Sequence, residues 1–588
     1  MEKRNRWKDA AGLIADSFRM SKANYVTLTV SAIIESAKSI LEMMAPAMLV
    51  DRITGAGAFG PVLGIVFFYA LAVLLADASR KAVSLFSTAF GYKAGNRAAL
   101  SVGQKGMRID YGGWEDTETY EGMLRAARST WVFQNITDLL CENWLASVIA
   151  LVPVLYILSH VDAFLLLPLS ALLLLELFLE RKTDDRIYSL EEGRAADEKK
   201  LHYNEKVMTD LKYGKEIRLY GAMQAVAEKY EESRRKVFSF QRRQKKAEVQ
   251  FRVCAAAIAC VEGILVYLAA IREYGRGAVT LSFFLMFVGA VRLFTESVKS
   301  IVENFEWVRD LAGYYSDYRK FMDGPEGFLA AGQKDEALSG SFDIEFRNVS
   351  FRYPGTDEYV LKNVNLTFPY GKKTAIVGEN GAGKTTLVKL LLRLYDVTEG
   401  EILAGGVNIK EIRYQDYLGL YAAVFQDYKL HSFSIRENIA FQEEGKDGQI
   451  WELLKQQGLY EAVKETKRGL DTFLTRELDQ DGKDFSGGEK QRLAMVRALY
   501  RNAPFLVLDE PTAAIDPIAE LKYFERLKED TAGKTAVFVT HRMASTKFAD
   551  NIVVLERGEV VESGDFAALV GSGGLFEKLF QIQAGFYK

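Results

Sequence analysis

The chain has 588 residues, with 75 Lys and Arg against 78 Asp and Glu, for a formal net charge of −3. That length exceeds a single hydrophobic core and implies two or more domains, while the near-neutral balance gives no ground for a nucleic-acid partner. The three cysteines, Cys141, Cys254 and Cys260, show neither metal-ligand spacing nor a disulfide framework.

Residues 7–23 are charged and amphipathic, which predicts an interfacial elbow helix and not a cleavable signal peptide. Six apolar stretches follow, at about 24–50, 61–90, 135–158, 161–180, 250–272 and 281–305, each near the roughly 20 residues that span a bilayer. Val161 to Leu179 is the cleanest; charges interrupt the first two. Any one stretch alone reads as a buried soluble helix. Six in succession, paired across short turns, predict an all-α membrane domain of six helices. The basic residues set its orientation. They crowd the N-terminus (Lys3, Arg4, Arg6, Lys8, Arg19, Lys22) and the 181–249 connection, which includes Arg234-Arg235-Lys236 and Arg242-Arg243-Gln244-Lys245-Lys246. The turns near 51–61, 159–162 and 273–280 are nearly free of them. Both termini are therefore expected in the cytoplasm of a multi-pass cell-membrane protein, and the membrane accounts for the basic clusters without DNA or RNA.

Ionisable residues inside spans are expensive and normally face water or one another. Glu35, Lys38 and Glu42 share one helical face of the first span, and Asp77, Arg80 and Lys81 one face of the second. Glu142, Glu176 and Glu262 lie in other spans, and Arg292 and Glu296 form an i, i+4 pair in the sixth. They read either as pairs that lock helices together or as the lining of a polar pathway; both can hold. Gly324-Pro325-Glu326-Gly327 and the polar run Gly332-Gln333-Lys334-Asp335-Glu336 then break the pattern. The expected division is a membrane domain over 1–325, a linker over 326–340 and a second domain over 341–588.

That second domain carries Gly378-Glu379-Asn380-Gly381-Ala382-Gly383-Lys384-Thr385, a match to G-x-x-x-x-G-K-[ST]. Such a loop closes backbone N–H groups on phosphate oxygens, with Lys384 reaching the β- and γ-phosphates and the Thr385 hydroxyl available to Mg²⁺. Thr374 to Val377 before it reads as a buried strand. Thr386 to Leu392 after it reads as a helix whose positive end faces the phosphates, so Thr386 joins the binding set. Phe505-Leu506-Val507-Leu508-Asp509-Glu510 is a short apolar run that predicts a central parallel strand. Its end places Asp509 to hold Mg²⁺ through water and Glu510 to orient the attacking water. ATP and Mg²⁺ are the predicted ligands of an α/β P-loop domain.

Phe485-Ser486-Gly487-Gly488-Glu489-Lys490-Gln491-Arg492 opens a helix and resembles the LSGGQ-x-QR signature of the ABC ATPase family, with Phe485 for Leu and Glu489 for Gln. The resemblance covers about Ser341 to the C-terminus. It implies that Ser486, Gly487 and Gly488 contact the γ-phosphate held by a second subunit, so that two such domains must meet. By the same resemblance Tyr353 is the adenine platform. Gln426 is the glutamine that touches Mg²⁺, Asp516 lies in the segment linking the two ATP sites, and His541 is the histidine that holds the γ-phosphate. In the first half, Trp114 to Tyr120 and Lys215 to Gly221 resemble the two coupling segments of ABC exporters. Arg476-Glu477-Leu478-Asp479 departs from the corresponding exporter segment.

The whole resembles an exporter-type ABC half-transporter: a membrane domain fused to an ATPase domain, working with a second ABC half-transporter as a homodimer or with a similar partner. An amphipathic, peptide-like, lipid or drug-like cargo is expected, crossing by alternating access. A siderophore-type importer on the same fold, and a membrane ATPase acting as a sensor or regulatory subunit, are the alternatives.

Overall fold

The computed structural model describes residues 6–586 except 57–58, 160–162, 276–279, 326–340, 442–445, 512–516 and 532. The chain forms two compact units. The first comprises Met1–Val102 with Arg125–Lys320, and the second Gly103–Leu124 with Phe321–Lys588.

The first unit is helical. The short amphipathic helix α1 (Arg6–Met20) precedes α2 (Lys22–Ala56) and α3 (Phe59–Gly106), whose last turn enters the second unit. After α4 (Tyr111–Glu115) of that second unit, α5 (Thr117–Arg128) leads back and runs on through α6 (Val132–Thr137), a π-helical segment at Asp138–Trp144 and α7 (Leu145–Leu158). Helices α8 (Ala163–Thr209), α9 (Gly214–Leu219), α10 (Met223–Gly275) and α11 (Leu281–Asp323) complete it. Helices α8 and α10 pack along one another, as do α2 and α7.

Four helices are long and apolar enough to cross a membrane among the described residues: Val62–Gly106, Thr117–Leu158, Met223–Gly275 and Leu281–Asp323. These carry four of the six predicted spans. Helix α2, which carries the first, is absent from that set; Glu35, Lys38 and Glu42 dilute its apolar run. The stretch predicted at 161–180 begins in residues outside those described and continues in α8. The helices leave Phe68, Leu74, Leu85, Val152, Leu174 and Phe178 exposed, as surfaces solvated by lipid do.

Charges within these helices are largely paired with each other. Arg80 lies 2.7 Å from Glu35 and 3.5 Å from Glu142, joining α2, α3 and the π-helical segment. Lys38 lies 2.8 Å from Asp77, Lys299 2.7 Å from Glu176, and Arg292 2.9 Å from Glu296. Glu262 accepts from the Thr295 hydroxyl at 2.6 Å. Pairing of this kind removes most of the cost of holding charge in an apolar setting.

The second unit is built on two sheets. An antiparallel sheet has the order β2-β1-β4-β5, from β1 (Ile344–Phe351), β2 (Leu361–Phe368), β4 (Glu399–Ala404) and β5 (Val407–Asn408). The larger sheet has the order β10-β9-β3-β8-β7-β6. It is formed by β3 (Lys373–Gly378), β6 (Tyr421–Val424), β7 (Phe505–Asp509), β8 (Thr535–Val539), β9 (Asn551–Glu556) and β10 (Glu559–Gly564). All its neighbours run parallel except β10 and β9. Strands β7 and β8 are buried throughout, which is why both read as unbroken apolar runs. Helix α12 (Lys384–Leu391) follows β3. Short helices α13 (Tyr414–Gly419), α14 (Ile435–Ala440), α15 (Asp447–Gln456) and α16 (Tyr460–Lys464) lie between β5 and α17 (Gly487–Tyr500). Helices α18 (Pro517–Asp530), α19 (Phe566–Val570) and α20 (Leu575–Phe586) finish the chain.

Candidate nucleotide site

The phosphate loop connects β3 to α12. Gly383 sits at φ 100°, and a Cβ there would come within 2.7 Å of the Leu361 side chain, so glycine is required. Asn380, Gly381 and Thr385 face outward, whereas Ala382, Lys384 and Thr386 are buried. The Lys384 ammonium donates to the carbonyls of Gly378 and Glu379, at 2.9 Å each. Burial pushes its pKa down, against the pull of Glu510 and Asp509. A lysine held by its own loop's carbonyls can exchange them for phosphate oxygens at little reorganisation cost.

Strand β7 delivers Asp509 and Glu510 to the same end of the sheet. Parallel neighbours on both sides hold it in register, with Asp509 opposite Val539 of β8. Asp509 is buried, its Oδ1 has no hydrogen-bond partner, and burial beside Glu510 pushes its pKa up to about 6. An orphaned buried carboxylate oxygen costs free energy unless a cation or donor meets it. The site's chemistry therefore fits a hard divalent cation bound by oxygen ligands.

Glu510 adopts φ 49°, unusual for a residue with a side chain, and its amide donates to the Val539 carbonyl at 3.1 Å. That strained backbone turns the carboxylate toward two other predicted residues. Gln426, just past β6, donates from Nε2 to Glu510 Oε2 at 3.0 Å. His541, just past β8, places Nδ1 3.5 Å from the same oxygen. Three residues from three adjacent strand ends thus meet at one atom, with Asp509 beside them. Their separation in sequence hides this; the order of strands creates it.

Tyr353 lies just beyond β1. Its hydroxyl is 3.0 Å from that of Thr386, and its ring meets Phe351 and Tyr395 edge-on at 5.1 and 5.4 Å. A cavity of about 660 Å³ opens beside it, bordered by Asp110, Gly112, Arg352 and Asp396 among others.

Ser486 stands at a different place, as the N-cap of α17. Its hydroxyl accepts from the Glu489 amide, and the Glu489 carboxylate accepts from the Ser486 amide at 2.8 Å and hydroxyl at 2.7 Å, a reciprocal capping box. This explains Glu489 in place of the family's glutamine, because either residue can close the box. Gly487 and Gly488 open the helix behind it. Phe485 is buried with Leu493 and Val496, so its larger side chain fills core volume. Asp516 lies outside the described residues. Sequence reasoning missed Lys389 and Tyr395, which border Tyr353; nothing in their local pattern separates them from ordinary residues of a helix and a turn.

Residues 361–513 match the ABC transporter family. The chain is 29% identical over 416 residues to the subtilin transport ATP-binding protein SpaT of Bacillus subtilis, covering 69% of this chain and 66% of that one. It is 38% identical over 242 residues to the ATP-dependent lipid A-core flippase of Haemophilus ducreyi, covering 41% of each. These matches span less than two thirds of either relative's length. A bacterial Atm1-family ABC exporter, solved with ATP bound, superposes with a TM-score of 0.79 at 21% identity, over 96% of this chain and 98% of that one. Residues 361–513 are therefore an ABC transporter domain, and the chain as a whole has the fold of that exporter, with membrane-length apolar helices followed by an α/β ATPase domain in one polypeptide.

Proposed function

We propose that the chain is one half of an ATP-driven exporter, in which hydrolysis at a nucleotide site shared between two chains moves an amphipathic cargo across the membrane. The observation that carries this reading is the meeting of Gln426 and His541 on the Glu510 carboxylate, next to the partnerless Asp509 oxygen. A site that only bound nucleotide would not need a water-orienting carboxylate positioned from two sides.

In this reading Lys384 leaves its loop carbonyls for the β- and γ-phosphates, and the amides from Gly378 to Thr385 close around them. Tyr353 stacks on adenine. Asp509, Thr385 and Gln426 would hold Mg²⁺, whose charge neutralises the phosphate oxygens. Glu510 accepts a hydrogen bond from the attacking water, and His541 holds the γ-phosphate. Ser486, on a separate helix with its capping box complete, serves the phosphates of a second chain. The segment around α9 supports a paired arrangement as well. Leu211, Leu219, Tyr220 and Met223 are all exposed there, apolar side chains suited to cover by a partner's ATPase domain. ATP favours the closed pair, and hydrolysis releases it.

Two relatives are named for subtilin transport and for a lipid A-core flippase, and the paired charges within the helices suit a pathway that is not wholly apolar. The distribution of basic residues supports a cytoplasmic side for both termini and the ATPase domain. Glu510→Gln is expected to keep ATP binding and lose hydrolysis by two orders of magnitude or more, roughly as removal of a positioned catalytic base does. Hydrolysis by this variant at the parent rate would overturn the assignment. Accumulation of cargo in inside-out vesicles, and its absence from right-side-out ones, tests the direction.

A further inference from the structure

Lys389 stands on α12, five residues beyond Lys384 and in the same eight-residue helix. Its ammonium lies 3.0 Å from the carboxylate of Glu115, which ends α4 and falls in the first predicted coupling segment, Trp114 to Tyr120. It also lies 5.2, 5.4 and 5.6 Å from the ring centroids of Tyr111, Tyr353 and Tyr395, within reach of a cation–π attraction to each. Glu115 accepts further bonds from the Tyr395 and Tyr111 hydroxyls. One lysine is thus enclosed by the base platform, the phosphate-loop helix and the segment at 111–115, all within the second unit.

The pair is ionic near neutral pH. Burial pushes Glu115 up, but the bonds from Tyr395, Lys389 and Tyr111 outweigh it and hold the carboxyl below its usual range. Burial pushes Lys389 down, and the Glu115 bond together with the charge interactions with Tyr353, Glu115 and Tyr111 outweighs that and raises it. Tyr353 has its hydroxyl tied to Thr386 and two ring contacts edge-on, so the ammonium over its ring supplies a further restraint on the ring's orientation.

We propose that Lys389 is a positioning residue for the base end of the nucleotide: its ammonium fixes the Tyr353 ring, and Glu115 fixes the ammonium. This rests on the reading of Tyr353 as the adenine platform. Residues 103–124 continue by chain into α3 and α5, so a base seated on Tyr353 and the placement of α4 are thermodynamically linked. Whatever strengthens one strengthens the other.

The test uses the purified full chain in nanodiscs and calorimetric titration with Mg-ATP and, separately, Mg-tripolyphosphate, which keeps the phosphate contacts and lacks the base. Lys389→Met is expected to weaken Mg-ATP roughly five- to tenfold, the scale of a partly desolvated cation–π contact, while tripolyphosphate binding stays within about twofold. Glu115→Gln, which touches neither phosphate nor base, is expected to reproduce that selective loss, and it serves alone if Lys389→Met does not fold. The double variant should bind no worse than either single one, and Lys389→Arg should bind as the parent does. Equal loss of both ligands, unchanged Mg-ATP binding in either single variant, or additive losses would each overturn the proposal. Parent protein that binds neither ligand would instead overturn the nucleotide site itself.

Discussion

Asp509 is a buried carboxylate whose surroundings suit a cation. Its position at the end of a strand buried on both faces leaves Oδ1 without a donor, and burial lifts its pKa from 3.8 to about 6. Between those two values the folded protein holds a proton that the unfolded chain has lost. The linkage slope is therefore negative: this group's contribution to stability falls as pH rises through that window. Nucleotide-free protein should melt at lower temperature near pH 6 than near pH 4.5 by this contribution, and Asp509→Asn should remove it. A thermal-shift series across that range, run on both proteins, checks the difference; identical slopes would show Asp509 to be solvated. Glu510 differs by one residue and by backbone. Its left-handed φ costs of order 1 kcal/mol or more and aims the carboxylate where Gln426 and His541 reach it.

At the scale of elements, two short helices of the ATPase unit begin with the same device. Ser434 and Glu437 close a capping box on α14, as Ser486 and Glu489 do on α17. The S-x-x-E spacing that announces such a box is readable from sequence. The junction of β1 with β4 depends on a different feature. Gly400 adopts φ 79°, and a Cβ there would approach the Asn348 carbonyl to 2.2 Å. Gly400→Ala should destabilise the unit by about 2 kcal/mol or more, because both the backbone and the neighbouring strand resist it. Gly448, inside α15 with open space around its Cα, makes the control. Gly448→Ala should be neutral or stabilising by up to about 1 kcal/mol. Apparent melting temperatures of the two variants in one detergent decide; equal losses would place the Gly400 turn away from β1.

For the whole molecule, the proposed function turns on a nucleotide site that takes groups from two chains. On that reading Lys384→Ala removes a phosphate ligand and Ser486→Ala a signature hydroxyl, so a dimer of either variant has both sites damaged. A mixed dimer has one site carrying both lesions and one site carrying neither. Co-expressed, differently tagged chains purified in tandem should therefore regain part of the ATPase activity that each variant lacks alone. No recovery would mean that each chain's site is complete by itself. On the same reading, a second chain would cover the exposed Leu211, Leu219, Tyr220 and Met223.

Local pattern alone determined a good deal of this protein. The phosphate loop, the apolar strand ending in Asp509-Glu510, the serine-capped signature helix and the long apolar helices are each set by residues close in sequence, because glycine freedom, strand burial and helix capping act over a few residues. Pairing among the intramembrane charges was legible only as one of two options, since helix rotation is fixed by packing. What the tertiary structure decided is everything that depends on which strands lie side by side. The order β3-β8-β7-β6 brings His541, Glu510 and Gln426 to one oxygen, and packing over α12 brings Lys389 to Glu115 across 274 residues. No local signal encodes such meetings, because they arise from burying the faces of distant elements against each other.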